Sequence, residues 1–251
     1  MLKILFSPSE DKSSHSPLKG KLRDALCFGG KFECRKECVE LYNDILRGRN
    51  EKELSKLFGL KKRNEIEAFL PIGFEAESLQ KAVLRYTGVA YSHLSYETLD
   101  EKAQGFIDTN VMIFSNLLGA VLAGEEIPYY KLKQGENLRG FDTSSHYKNA
   151  FKDEIDEWLA EAFVIDLRAG FYERFYTLQK PHITMRFYKN GKILSHFAKA
   201  YRGVVLRRLA TQRPENINEF NQINFEGLHI IDIKHMKSRS EYSFEIKTLE
   251  S

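Results

Sequence analysis

The sequence has 251 residues, of which 42% are hydrophobic and 29% are charged, enough for one large domain with a sizeable core or for two small ones. This composition excludes disordered chains, collagen-like chains and small disulfide scaffolds. Its apolar runs are far shorter than the roughly 18 residues that a membrane-spanning helix needs, so we expect no transmembrane helix and no membrane partner.

The first part of the chain is predicted to form one buried strand followed by helices. The strand covers Lys3–Phe6 and ends before Pro8, and a polar loop follows over Ser9–Gly20. Apolar residues at helical spacing then predict helices over Lys31–Leu46, Glu51–Phe58 and Lys61–Phe69.

Strands and helices are predicted to alternate through the middle of the chain. Helices are expected over Tyr96–Ile107, with Ser95 as a cap, and over His146–Phe163. A loop is expected through Gly124 and Pro128. Strands are expected over Ala82–Tyr91, Asn110–Leu118 and Val164–Leu167.

The last part is predicted to contain a hairpin, a helix and a closing pair of strands. Asn190-Gly191 gives the hairpin turn, between strands Ile183–Phe187 and Ile193–Phe197. The helix covers Ala198–Thr211, and the antiparallel strands lie at Leu228–Ile233 and Tyr242–Ile246. These elements predict an α+β, or irregular α/β, fold. It would be a single domain over 1–251 with a mixed sheet, surrounding helices and a helical subregion at about 47–70.

The cysteines and the known catalytic motifs identify no metal site, no cofactor and no catalytic residue. Cys27, Cys34 and Cys38 form an odd set without secretory context, so we expect reduced thiols in a cytoplasmic protein. Cys34 and Cys38 share a helix face, which suits a metal or a thiol sensor, but small buried thiols are favoured. Motifs typical of nucleotide-binding loops, zinc proteases and hydrolases are absent from the sequence.

Basic residues are concentrated in two segments. No Asp or Glu occurs from Arg174 to Gln212, and the stretch that extends to Arg213 carries ten Lys and Arg residues. The rest of the chain then holds 28 basic and 35 acidic residues. A second segment, Arg47–Arg63, has seven basic and two acidic residues. This asymmetry indicates a polyanion partner, and the alternative is a solvated face neutralised by acidic neighbours in space.

Both basic segments contain an element that suits phosphate. The helix Ala198–Thr211 has a mostly cationic face on which Gly203 is expected to let a phosphate approach the backbone. Leu54–Phe69 has the outline of a helix-hairpin-helix, whose turn offers backbone N–H groups to a nucleic-acid phosphate. The alternatives are a surface helix with incidental cations and an ordinary αα-hairpin with Gly59 as its C-cap.

Segments in consistent order along nearly the whole chain resemble the YaaA peroxide stress protein family. The most specific match runs from Phe197 through Lys199, Arg202 and Gly203 to Arg207. The sequence departs from the family pattern at Leu122–Glu125, and at Asp166, where the family has Asn. The other matching segments are Ile4–Lys12, Tyr86–Tyr91, Ser115–Gly119, Pro128 with Tyr130–Leu132, Asp166–Leu167 with Tyr172 and Arg174, and Phe225–Gly227.

This resemblance implies a positively charged cleft that binds double-stranded DNA, especially bent or junction-containing DNA. It also implies protection from peroxide by limiting free intracellular iron. No obligate protein partner is inferred. The candidate DNA-binding residues are Lys56, Gly59, Lys61, Lys62, Arg63, Lys199, Arg202, Gly203, Arg207 and Arg208.

Polar residues at strand ends support an alternative, an enzyme that acts on a nucleotide or a phosphorylated small molecule at the same cationic site. A third alternative is a thiol sensor at Cys34. DNA binding without a catalytic step is preferred because of the resemblance and the segment without acidic residues. The residues of the candidate polar cleft are Ser7, Glu10, Lys12, Tyr91, Lys131, Tyr172 and Arg174.

Overall fold

A mixed sheet of eight strands organises the fold in a computed structural model that describes residues 1–22, 24, 26, 28–74, 77–194 and 198–247. A second sheet has three short strands. The strands in chain order are β1 (Leu2–Phe6), β2 (Leu18–Gly20), β3 (Glu77–Lys81), β4 (Val111–Ser115), β5 (Gly119–Leu122), β6 (Glu126–Pro128), β7 (Phe163–Asp166), β8 (His182–Lys189), β9 (Lys192–Ile193), β10 (Leu228–His235) and β11 (Arg239–Ile246).

Helices surround the main sheet. No helix within the described residues is both long enough and apolar enough to cross a bilayer. The helices are α1 (Phe32–Gly48), α2 (Glu51–Phe58), α3 (Arg63–Ile66), α4 (Ala82–Arg85), α5 (Val89–Leu94), α6 (Glu101–Asn110), α7 (Thr143–Ala150), α8 (Lys152–Leu159), α9 (Ala198–Gln212) and α10 (Ile217–Gln222), with 3-10 turns at Gly29–Lys31, Tyr96–Thr98 and Gly170–Phe175.

Strand β1 lies in the interior of the main sheet, whose strand order is β10-β11-β8-β7-β1-β4-β5 with β9 paired to β8. It pairs in parallel with β4 on one side and with β7 on the other. Strands β8 and β11 continue the parallel part, and antiparallel β5 and β10 close the two ends. The order of the strands therefore reverses beside β1, and in open α/β sheets such a reversal leaves a crevice at the carboxyl ends of the strands.

Burial in the core explains why the sequences of β1 and β4 are nearly continuous apolar runs. Every residue of β4 is buried, and in β1 only Lys3 is partly exposed. Strands covered on both faces cannot alternate apolar and polar residues. The aliphatic side chains of these two strands therefore define the middle of the molecule.

Several predicted elements are confirmed because their signals are local. The strand at the N-terminus, helix α2, helix α9 and the closing pair β10–β11 lie where the sequence predicts them. The hairpin turn has positive φ at Asn190 (52°) and Gly191 (70°), the backbone that this dipeptide favours. The mixed sheet confirms the predicted fold class.

Other predicted elements are wrong in type or length. Ala82–Tyr91 is not a strand but parts of two short helices, α4 and α5, because a short buried apolar run does not distinguish the two structures. Helix His146–Phe163 is divided near Phe151, and the second helix of the predicted pair shrinks to the four residues of α3.

The cap predicted at Ser95 is also wrong. Ser95 has a positive φ of 47° and its side chain caps no helix, whereas Asp100 begins α6 by accepting a hydrogen bond from the Ala103 N–H at 2.8 Å. Segments predicted as loops contain the short strands β2 and β6, and helix α10 has no counterpart in the prediction. The residues of the predicted strand Ile193–Phe197 after Leu194 lie outside the described part of the chain.

Candidate functional site

The loops that follow β1 and β7 meet at the carboxyl edge of the sheet. The Ala169 N–H donates a hydrogen bond of 2.8 Å to Ser7 Oγ. The Tyr91 hydroxyl donates one of 2.8 Å to the Ser7 carbonyl oxygen. Three segments that are far apart in the sequence, around residues 7, 91 and 169, are thus fixed to one another where the strand order reverses.

Lys12 lies half-buried beside this junction. Its Nζ donates to the Ser9 carbonyl oxygen at 2.9 Å and lies 4.4 Å from the centre of the Tyr130 ring. Burial, together with the positive charge of Lys131, lowers the pKa of the Lys12 ammonium to about 7, and the carboxylates of Glu10 and Asp11 oppose the shift. Within the described residues no carboxylate forms an ion pair with Lys12, so no direct counter-charge offsets its burial.

The rings of two buried tyrosines, Tyr86 and Tyr130, lie against the Lys12 ammonium. The Tyr130 hydroxyl lies 2.6 Å from Ser115 Oγ and 2.9 Å from the Tyr86 hydroxyl, so the three groups form a continuous hydrogen-bonded chain. Burial raises the pKa of Tyr130 to about 12 and that of Tyr86 well above its ordinary value. Both rings therefore stay neutral and present electron-rich faces to the Lys12 cation.

A fully buried arginine holds the loop that carries Lys12. Arg85 is 0% exposed, and its guanidinium donates to the carbonyl oxygens of Ser13 and His15 and, at 2.7 Å, to Ser16 Oγ. Residues 13–16 are thereby anchored to helix α4. Arg85 is not among the predicted site residues, because it lies within an apolar segment and its hydrogen-bond partners are about 70 positions away in the chain.

A buried ion pair follows strand β7. Arg168 donates two hydrogen bonds to the Asp166 carboxylate, at 2.9 and 2.7 Å, and two more to the carbonyl oxygens of Tyr172 and Tyr176. This geometry explains how an acidic residue at position 166 is tolerated in the interior. Arg168 was also missed, although an Arg two residues after an Asp at a strand end is a usable signal.

Helix α9 packs its glycine against α5. A Cβ on Gly203 would overlap the carbonyl oxygen of Ala90 and lie 2.9 Å from the Ala90 carbonyl carbon and 3.1 Å from His93 Cβ. The expectation that Gly203 leaves the backbone open to a phosphate is therefore wrong. The group that approaches this glycine closely is helix α5.

The cations of α9 have different environments. Arg207 donates to the carbonyl oxygens of Leu94 and Ser95 at 2.9 and 3.0 Å, and so caps the end of α5. Arg208 forms an ion pair with Glu226. Burial lowers the pKa of the half-buried Arg202, while Asp166 and Glu173 oppose that shift. Lys199 is the exposed cation of this set.

The helical pair around α2 and α3 forms a separate basic groove of about 920 Å³. Apolar side chains line it, among them those of Phe58, Phe69 and Leu70. Two carboxylates, those of Glu51 and Glu67, also line it. We call this the basic groove; its cations are Arg47, Arg49, Lys52, Lys56, Lys61 and Arg63.

The predicted cations in this region differ in their partners. Lys56 pairs with Glu136 at 3.0 Å, Lys62 with Glu65 at 3.6 Å, and Arg63 with Glu67 at 2.7 Å. Lys61 forms no ion pair within the described residues. Gly59 ends α2 with φ +67° and donates its N–H to the Lys56 carbonyl oxygen, as a C-cap does.

The remaining residues of the candidate polar cleft lie around the same carboxyl edge. Glu10 accepts a hydrogen bond from the Gln134 N–H at 3.0 Å, and Lys131 is half-buried next to Tyr130. Tyr172 is buried, with its pKa raised by burial. Arg174 places its guanidinium 4.4 Å from the centre of the Phe171 ring.

Cys34 and Cys38 lie in α1, away from these contacts. Cys38 is buried, and burial raises the pKa of its thiol to about 12, which leaves it unreactive at neutral pH. Cys34 is half-buried, and Cys27 lies outside the described residues. Among the residues that the structure describes, no group of three or more His, Cys, Asp or Glu could hold a metal ion.

Comparisons with known proteins identify the family of this chain. Residues 2–232 match the family model described as peroxide stress protein YaaA. An uncharacterised protein of Campylobacter jejuni is 41% identical over 98% of this chain and 99% of its own length. UPF0246 proteins of Streptomyces coelicolor and Delftia acidovorans are 27% and 25% identical, over 82% and 89% of this chain and 82% and 91% of their own lengths. The chain therefore belongs to the YaaA peroxide stress protein family.

Proposed function

We propose that this protein binds double-stranded DNA through the basic groove and acts in this way during peroxide stress. The observation that carries the proposal is the charge of the groove, in which six cations and two carboxylates surround one depression. Arg49, Lys52 and Lys61 are exposed and form no ion pair within the described residues, so they are available to phosphates.

The apolar lining of the basic groove suits distorted DNA. Leu70 is 73% exposed beside the cations, so its side chain is free to contact a ligand in the groove. Proteins that bind bent DNA often insert apolar side chains between base steps while cations hold the backbone. We therefore expect bent or junction-containing duplexes to bind more tightly than straight ones.

Helix α9 contributes less to this interface than its sequence suggests. Arg207 and Arg208 are engaged by α5 and by Glu226, and Gly203 is covered. Lys199, which is exposed, is the member of the set best placed to contact a phosphate. The proposal thus relies on the helical pair rather than on the segment without acidic residues.

Fluorescence anisotropy of a labelled junction-containing duplex tests this function. We expect the variant Arg49→Gln/Lys52→Gln/Lys61→Gln to bind at least tenfold more weakly than the wild type, because three phosphate contacts are lost. The control variant Lys102→Gln/Lys148→Gln/Lys234→Gln removes the same charge from exposed positions outside the groove. Equal weakening in both variants would show a response to net charge alone and would contradict the proposal.

Protection from peroxide is proposed to include the limitation of free intracellular iron, which the family resemblance implies. Electron paramagnetic resonance of whole cells measures the chelatable iron pool directly. We expect cells without this protein to show a larger pool under peroxide than cells that contain it. An identical pool in the two strains would contradict the proposed limitation of iron. It would not bear on the proposed DNA binding.

A further inference from the structure

Two half-buried lysines, Lys12 and Lys131, lie close enough at the carboxyl edge for the charge of one to act on the other, and neither forms an ion pair within the described residues. Glu10 and Asp11 also act on Lys12, but the Glu10 carboxylate accepts a hydrogen bond from the Gln134 N–H instead of pairing with the lysine. Removing a cation from water costs free energy unless an anion or hydrogen-bond acceptors replace the water. A bound anion would supply a direct partner for both lysines.

The position of these cations is the one at which α/β sheets bind ligands. Lys12 follows β1, and β1 lies between β4 and β7, where the strand order reverses. Lys131 follows β6 and adjoins Tyr130, over whose ring the Lys12 ammonium lies. Crevices at such reversals hold phosphate-bearing ligands in many unrelated folds.

The cationic group is held in place before any ligand arrives. The loop from Ser9 to Ser16 is tied to Arg85, and Ser9 packs so closely on Gly88 that a Cβ there would overlap Ser9 Oγ. The Lys12 ammonium is further fixed by the Ser9 carbonyl and by two tyrosine rings. A positioned charge loses little entropy on binding, which is what a specific site requires.

We propose that the carboxyl edge binds a small phosphorylated molecule whose phosphate contacts Lys12 and Lys131. A duplex is a poorer fit, because Lys12 is half-buried over tyrosine rings whereas DNA phosphates meet exposed cations such as those of the basic groove. This site is independent of the DNA-binding function proposed above.

Isothermal titration calorimetry with pyrophosphate and with AMP as probes tests the site. We expect Lys12→Met to weaken binding at least tenfold and Lys131→Gln to weaken it several-fold. Lys102→Met, which removes an exposed lysine from α6, should bind like the wild type.

The pH dependence gives a second readout. A bound phosphate favours protonated Lys12, so binding at pH 8 should take up a proton and the affinity should fall as the pH rises from 7 to 9. Lys12→Met should abolish that proton uptake. The charged and titratable groups around Lys12 that must be considered are Glu10, Asp11, Arg85, Tyr86, Tyr130 and Lys131.

Folding and DNA binding of the same variants separate the outcomes. Lys12→Met is expected to fold normally, since burial disfavours the charged lysine. The proposal fails if neither probe binds the wild type, or if Lys12→Met and Lys102→Met bind equally. It also fails if Lys12→Met loses duplex binding while no small phosphate binds, because the edge would then be part of the DNA interface.

Discussion

Arg168→Met is expected to cost about 3–5 kcal/mol of unfolding free energy, the largest single effect among our predictions. The substitution leaves the Asp166 carboxylate buried without its partner and also removes two hydrogen bonds to the carbonyl oxygens of Tyr172 and Tyr176. Urea denaturation followed by circular dichroism measures the change. The double variant Asp166→Asn/Arg168→Met should recover part of the loss, because no charge then stays buried.

A surface ion pair provides the control for Arg168. Arg139 binds Glu53 with a similar bidentate geometry, at 2.6 and 3.0 Å, but its side chain is 49% exposed. Arg139→Met is therefore expected to cost less than about 1 kcal/mol. If both substitutions have the same small effect, the Asp166–Arg168 pair does not have the structural importance that its burial indicates.

Gly203→Ala is expected to destabilise the protein by about 3 kcal/mol, because the new Cβ would overlap the Ala90 carbonyl oxygen and force α9 away from α5. The sign of the effect makes this a strong test. Alanine in an open helix interior stabilises by up to about 1 kcal/mol relative to glycine. Thermal or urea denaturation distinguishes the two outcomes.

Gly105→Ala is the matched control for Gly203. Gly105 lies in the interior of α6, and a Cβ there meets no atom within 4 Å. This substitution is expected to leave stability unchanged or to raise it slightly. A stabilising effect at both glycines would show that α9 and α5 are not in close contact. The cationic face of α9 would then be accessible to a ligand.

The sequence predicts this fold well where the signal is local and poorly where it depends on distant partners. The hairpin at Asn190-Gly191 depends on two adjacent residues, and α9 on apolar spacing within 15 residues. Gly203 is different, since the helix that covers it is more than 100 positions away in the chain. Its closest neighbour could not be inferred from the composition of α9 alone.

The residues of the candidate site also divide into those that local sequence patterns predict and those that depend on distant partners. Ser7, Lys12 and Tyr91 are identified from motifs at the ends of elements, and the structure brings them together at the carboxyl edge. Arg85, which supports them, lies in an apolar segment and gives no sequence signal of function, whereas the chain of Tyr86, Ser115 and Tyr130 lies in segments that resemble the family. Only the reversal of strand order beside β1 explains why all of them meet.

The salt dependence of duplex binding tests the central claim, that DNA phosphates contact the basic groove, most directly. The logarithm of the association constant falls with the logarithm of salt concentration by about 0.9 for each phosphate contact. We predict that Arg49→Gln/Lys52→Gln/Lys61→Gln reduces this slope by about 2.7, three times that value, while Lys12→Met leaves the slope unchanged. A slope that is unaffected by the groove variant, or reduced by Lys12→Met, would contradict the account.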